Sequence, residues 1–278
     1  MIYRFLRLIK YYLVYSFRSR SFVFMALLNV FISILILLVM SSSGTLLKSF
    51  VPGNIKQIEL PTFLRERVYN FQWANILIYI PILSAAFFGS TAIPYEYERG
   101  TIYNLYSLPI TRFQFVLSRV MGATILSFLS TLIIVGFQFF SVAIYFRRMP
   151  DDTFVFYVLL LLLVTFSDVT MAVAISTFFK NSGHSAIAFL IVYLVIFNIF
   201  SLVGTDAGII PAIFIKTNAD RVLYGIFLNS DPYFLTYSFS LSPLPENTIL
   251  FISSILLFYS FTSILIAYGV TMLRREYR

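Results

Sequence analysis

The chain has 278 residues, 59 % of them hydrophobic and 12 % charged, with a mean hydropathy of +0.88 and a net charge of +8. A soluble domain carries about 25 % charged residues. Most of this chain therefore cannot face water, which excludes a soluble globular enzyme, a disordered chain and a collagen-like fibre. With no cysteine and a single histidine, His184, it lacks the raw material for a disulfide scaffold, thiol chemistry or a zinc cluster.

Residues 3–18 place Arg4, Arg7 and Lys10 at intervals of three, with Phe5, Leu6, Ile9, Tyr12 and Leu13 on the other face. This predicts an amphipathic helix within 1–21 lying along a membrane surface, its bases among anionic headgroups. Uncharged runs follow: 27 residues between Arg20 and Lys48, 28 between Arg67 and Glu96, 27 between Arg119 and Arg147, 25 between Lys180 and Asp206, and 27 between Glu246 and Arg274. A further run from Asp152 to Lys180 is interrupted only by Asp168. About 20 apolar residues cross a hydrocarbon core, so each run suits one helix. The expected spans are 22–42, 73–95, 119–145, 154–179, 184–204 and 248–272. The fold class is thus an all-α polytopic membrane protein with six transmembrane helices.

Lys and Arg distribution sets the orientation. With the N-terminus in the cytoplasm, the segments 1–21, 96–118, 180–183 and 273–278, together with Arg119, hold 12 of the 20 basic residues against Glu96, Glu98 and Glu276. Both termini are then cytoplasmic. The basic excess is a membrane-surface signature and not a nucleic-acid one. The outer loop 43–72 reads as an ordinary polar segment. Residues 205–247 contain two short apolar stretches, Ala207–Ile215 and Val222–Leu228, split by a polar hexapeptide from Lys216 to Arg221. Stretches of that length suit re-entrant or interfacial helices on the outer face.

Between the second and third spans the pattern is sharper. Gly100 ends the preceding helix, Thr101 caps a new one, and Pro109 keeps that helix short, within 100–109. Thr111-x-x-Gln114 is a capping box opening the third span. Ile102, Leu105 and Tyr106 share a face of the short helix, and that face needs lipid or another protein to pack on.

The run Glu96-x-Glu98-Arg99-Gly100-Thr101 followed by Leu105-x-x-Leu108-Pro109-Ile110-Thr111-Arg112 resembles the signature of the type-2 ABC exporter permeases, approximately E-x-E-x-G-T-x-x-x-L-x-x-L-P-[IV]-[ST]-R after the second span. Tyr103-Asn104 departs from the acidic or leucine residues of that pattern. The resemblance implies a permease working as a dimer with a second copy or a paralogue. It implies that each half docks on a separate cytoplasmic ATPase subunit, which carries the ATP and Mg, while this chain binds no cofactor. It also makes 100–109 the coupling helix, with Glu96, Glu98, Arg99, Gly100, Thr101, Ile102, Leu105, Leu108 and Pro109 as the coupling residues. Independently, no G-x-x-x-x-G-K-[ST] phosphate loop occurs in the sequence, so energy must come from a partner or an ion gradient.

Asp168 lies inside the fourth span, where a charge costs about 2.5–3.5 kcal/mol on insertion scales. Either it lines a substrate path or joins a proton relay, or it links spans through a Ser or Thr hydrogen bond. The alternative function, a stand-alone ion-coupled transporter or channel, rests on this residue. Glu96 and Glu98 are expected to brace the short helix through Arg99, Arg112 or the ATPase, or else to be solvated interfacial acids. His184 is expected at the turn into the fifth span, without a catalytic role. Ala85 and Gly89, with Ala172 and Ser176, are small-x-x-x-small pairs that permit close helix approach.

Overall fold

The computed structural model describes residues 2–42, 62–102, 110–206, 214–227, 229–230, 239–240 and 246–273. Among these the chain is almost entirely helical: α1 (Ile2–Phe17), α2 (Arg20–Ser42), α3 (Thr62–Leu77), α4 (Tyr79–Ser84), α5 (Pro94–Glu98), α6 (Arg112–Phe146), α7 (Asp152–Ser176), α8 (Ser182–Ile191), α9 (Phe197–Asp206), α10 (Lys216–Gly225) and α11 (Glu246–Leu273). One short antiparallel pair, β1 (Asn229–Ser230) with β2 (Phe239–Ser240), is the exception. Six helical stretches are long and apolar enough to cross a membrane: Ser21–Val39, Arg65–Glu98, Arg112–Phe146, Asp152–Ser176, Ser182–Ser201 and Ile249–Leu273.

Apolar composition all round dictates where these helices go. α7 is the central one, with α6, α11 and the second span packed on it. Leu160, Leu161, Val164, Val169, Ala172 and Val173 of α7 are all buried. The second span approaches it closely at Gly89, where an added Cβ would lie 2.8 Å from Ala172 Cβ. The small residues thus close a contact inside the chain.

Some polar residues in the spans are paired across helices, where no water competes. Asn29 Nδ2 donates to Ser130 O (2.8 Å) and Ser130 Oγ (2.7 Å), joining α2 to α6. Gln138 Nε2 donates to Asn70 Oδ1 at 3.0 Å, joining α6 to α3.

The helix that carries the second span begins at Thr62 and its membrane-crossing stretch at Arg65, ahead of the expected 73, and Val68 to Ala74 are buried. The polar side chains that suggested a loop are held inside: Glu66 pairs with Arg148, and Asn70 with Gln138. This span is also broken. A turn at Ile78, Pro81 and a π-helical stretch over Ala85–Gly89 divide it, because proline has no amide hydrogen to donate.

Part of the expected apolar face of α1 meets protein: Ile9 and Tyr12, with Leu8, are buried where α1 packs on α6, while Leu6 is exposed. Residues 43–61, 207–213 and 274–278 lie outside the described residues, and with them most of the expected outer loop and of the stretch Ala207–Ile215.

Candidate functional site

The described motif residues gather at the end of the bundle formed by 96–102, Arg112, the start of α8 and the end of α11. Pro94 opens α5 at its first turn, where a missing amide hydrogen costs nothing. The helix stops where Gly100 takes a left-handed φ of 67°, a conformation that favours glycine. Residues 101–102 begin a new helical turn. The Thr101 hydroxyl donates to the Glu96 carboxylate, and the amides it is expected to cap lie outside the described residues.

Glu96 is 4 % exposed and its ion pair is with Arg119 of α6, Nη2 to Oε1 at 2.9 Å. Arg99 and Arg112 were the expected partners, and both are engaged elsewhere. The Arg99 guanidinium lies over the rings of Tyr15 (4.2 Å) and Tyr95 (4.4 Å). Arg112 Nη1 donates to Met272 O (2.8 Å) and Thr271 O (3.2 Å), a cation at the C-terminal carbonyls of α11.

Glu98 is exposed but not idle: it accepts from Ser182 N (2.7 Å) and Ser182 Oγ (2.8 Å). A carboxylate at the first turn of α8 suits the positive end of that helix. Asn181 caps the same turn by accepting from His184 N at 3.1 Å. Ile102 is fully buried. Leu105, Leu108 and Pro109 lie outside the described residues.

Arg119, fully buried, was not singled out from the sequence. Its guanidinium lies 5.2 Å from the Tyr12 ring and 5.1 Å from Phe115. Tyr12 is wedged between the second and third spans: its hydroxyl donates to Phe88 O at 2.9 Å, and burial pushes its pKa up to about 12, so it stays a donor. Only glycine fits at Gly122 beside that ring, since a Cβ there would lie 2.3 Å from Tyr12 Cδ1. Tyr12, Glu96, Thr101 and Arg119 therefore tie α1, the motif loop and α6 into one network. On α1, Arg7 and Lys10 are exposed, while the Arg4 side chain lies outside the described residues. The Thr111-x-x-Gln114 capping box is formed, with Gln114 N donating to Thr111 Oγ1 and Thr111 N to Gln114 Oε1, each at 3.2 Å.

A second polar centre lies deeper. Asp168 is fully buried, and Lys216 Nζ donates to its Oδ1 at 2.7 Å. The same ammonium donates to Asp220 Oδ1 (2.6 Å) and Oδ2 (2.7 Å), and Tyr193 donates its hydroxyl to Asp220. The expected Ser or Thr link is replaced by an ion cluster. The hexapeptide from Lys216 to Arg221, read as a polar break, is the start of α10, with Lys216 and Asp220 one turn apart on its buried face. α10 runs antiparallel to α7, because Phe227 beyond its end stacks on Tyr157 at 5.0 Å while Lys216 meets Asp168. Asp168 is sixteen residues from Asp152, so the start of α10 reaches roughly 24 Å down α7, the depth of a re-entrant element. The i, i+4 spacing of Lys216 and Asp220, with an unpaired acid in a span, was the signal available for this cluster.

No group of three or more His, Cys, Asp or Glu able to hold a metal occurs among the described residues. Among the described residues two buried ion networks, Glu96–Arg119 and Asp168–Lys216–Asp220, lie between long apolar helices.

No curated relative matches the chain. The family model described as "ABC-2 family transporter protein" matches residues 15–274, nearly the whole length. The chain therefore belongs to the ABC-2 transporter family, and is a multi-pass membrane permease component of an ABC transporter.

Proposed function

We propose that this chain is the translocation subunit of an ATP-driven exporter, working as a pair of permease chains, each docked through the 100–109 segment on a separate cytoplasmic ATPase. On this reading ATP and Mg bind the partner, both termini are cytoplasmic, and the protein resides in the plasma membrane. The observation that carries the reading is the Glu96–Arg119 pair. The described part of the motif, 96–102, is tied to the bundle. Thr101 bonds Glu96, Glu96 pairs with Arg119 of the third span, and Arg119 lies over Tyr12 of α1. A displacement of the 100–109 segment would therefore move the third span and α1 together. Glu98 extends the same connection to the fifth span through Ser182.

The chain contributes positioning and no covalent chemistry. The pair of permeases would expose a cavity between them alternately to the two sides, driven by closure of the ATPases. Asp168 supports the ion-coupled alternative less than its position suggested, because Lys216 pairs with its Oδ1 within the chain. The experiment is reconstitution of the purified permease–ATPase complex with the Glu98→Ala variant. Assembly with retained ATP hydrolysis and lost transport supports the coupling role. Normal transport by that variant overturns it.

A further inference from the structure

The side of α1 turned away from the bundle lines a groove of about 470 Å³ formed by Arg7, Lys10, Tyr11, Val14, Tyr15 and Arg18. Three of these six residues are bases and none is an acid, while the wall of the groove is apolar, formed by their stems with the tyrosine and valine side chains, so it suits a ligand that brings an apolar body and an anionic head. Its surroundings are apolar: Leu6 is 54 % exposed, Tyr11 47 %, Val14 46 % and Phe17 40 %. This interleaving suits a headgroup layer, since the apolar side chains enter the acyl boundary while guanidinium and ammonium groups reach the phosphates. α1 also lies next to the first span, bending into it at Arg18 and Ser19, which keeps the groove at the membrane surface.

We infer that this groove binds the phosphate of an anionic phospholipid, and that its occupancy sets the strength of coupling between the ATPase and the spans. The route is short. Tyr15 lines the groove and its ring lies 4.2 Å below the Arg99 guanidinium of the motif loop. On the opposite side of the same helix Tyr12 bonds Phe88 O and underlies Arg119. A lipid that fixes α1 therefore fixes the base of the motif loop. The regulatory half of this inference rests on the exporter reading above, and the binding half does not.

The binding half is read on the delipidated permease by native mass spectrometry with phosphatidylglycerol or phosphatidylcholine. The wild-type chain retains phosphatidylglycerol preferentially. Near an anionic surface each base is worth about fivefold in affinity, so Arg7→Gln/Lys10→Gln/Arg18→Gln loses about 100-fold, while Arg7→Lys/Arg18→Lys keeps most of it. Equal retention of both lipids by the wild-type chain overturns the site, as does an unchanged preference in the triple variant. Displacement of the lipid by inorganic phosphate would make it a free-anion site and overturn the lipid assignment. Loss of the ATPase subunit from the triple variant, with lipid preference intact, would assign the face to the ATPase instead. The regulatory half is read as ATPase rate of the complex in nanodiscs with and without phosphatidylglycerol: the wild type is stimulated, and Arg99→Gln, outside the groove, binds the lipid without stimulation. Stimulation of Arg99→Gln equal to wild type overturns that half. A lipid preference in a chain that associates with no ATPase would refute the exporter reading and leave the site standing.

Discussion

Lys216 Nζ lies 2.7 Å from Asp168 Oδ1 and 2.6 Å from Asp220 Oδ1, in a cluster where all three side chains are fully buried. It fastens α10 to α7 across 48 residues of sequence. Removing one member of a buried ion group strands the others and costs about 3–5 kcal/mol, whereas removing the whole group is often close to neutral. Lys216→Met should therefore lower the thermal midpoint of the detergent-solubilised chain sharply. Lys216→Met/Asp168→Asn/Asp220→Asn should recover most of the loss. Equal midpoints for the single variant and the wild type would show that the ammonium holds nothing.

Glu96→Gln removes the charge facing Arg119 while keeping the side-chain shape. The expected result is a complex that assembles and hydrolyses ATP with transport reduced, because the motif loop no longer moves with the third span. Arg119→Gln should have the same phenotype, and the double variant should be little worse than either single one. Additive losses, measured as transport per ATP hydrolysed, would mean that the two residues act separately.

The seat of Tyr12 is testable by size. Gly122→Ala places a Cβ where the ring stands, and overpacking of this kind costs about 1–3 kcal/mol. Pairing it with Tyr12→Ala should relieve the clash while leaving Phe88 O without its donor. Thermal unfolding of the two single variants and the double variant measures the coupling. No interaction between the two substitutions would contradict the described contact.

Thr111→Ala deletes the side-chain half of the capping box at the start of α6. A lost N-cap costs about 1 kcal/mol. The effect should appear as a modest drop in thermal midpoint, with Thr111→Ser close to wild type. A large loss in both would point to a role for Thr111 outside the cap.

Much of this architecture is legible in the sequence because a bilayer leaves so few options. Uncharged runs above 20 residues can only be spans, and a glycine, a proline and a capping box stop and restart a helix by local chemistry. Partner choice was harder. Glu96 has Arg99 and Arg112 close in sequence, yet it pairs with Arg119, because Arg99 is drawn over two tyrosine rings and Arg112 reaches the end of α11. The hexapeptide from Lys216 to Arg221 misled for the opposite reason. Polar residues usually mark a solvated turn, and only the acid on α7 makes their burial favourable. α3 combined both problems, since Glu66 and Asn70 are polar by composition and buried through Arg148 and Gln138.

The most direct test of the central claim is to tag the C-terminus, extract the chain gently from its native membrane and identify what co-purifies. The exporter account predicts a soluble ATPase in near-stoichiometric amount, lost when Leu105 and Leu108 are changed to Asp. Recovery of the chain alone, in a form that still transports, would contradict it and return the argument to Asp168 and an ion gradient.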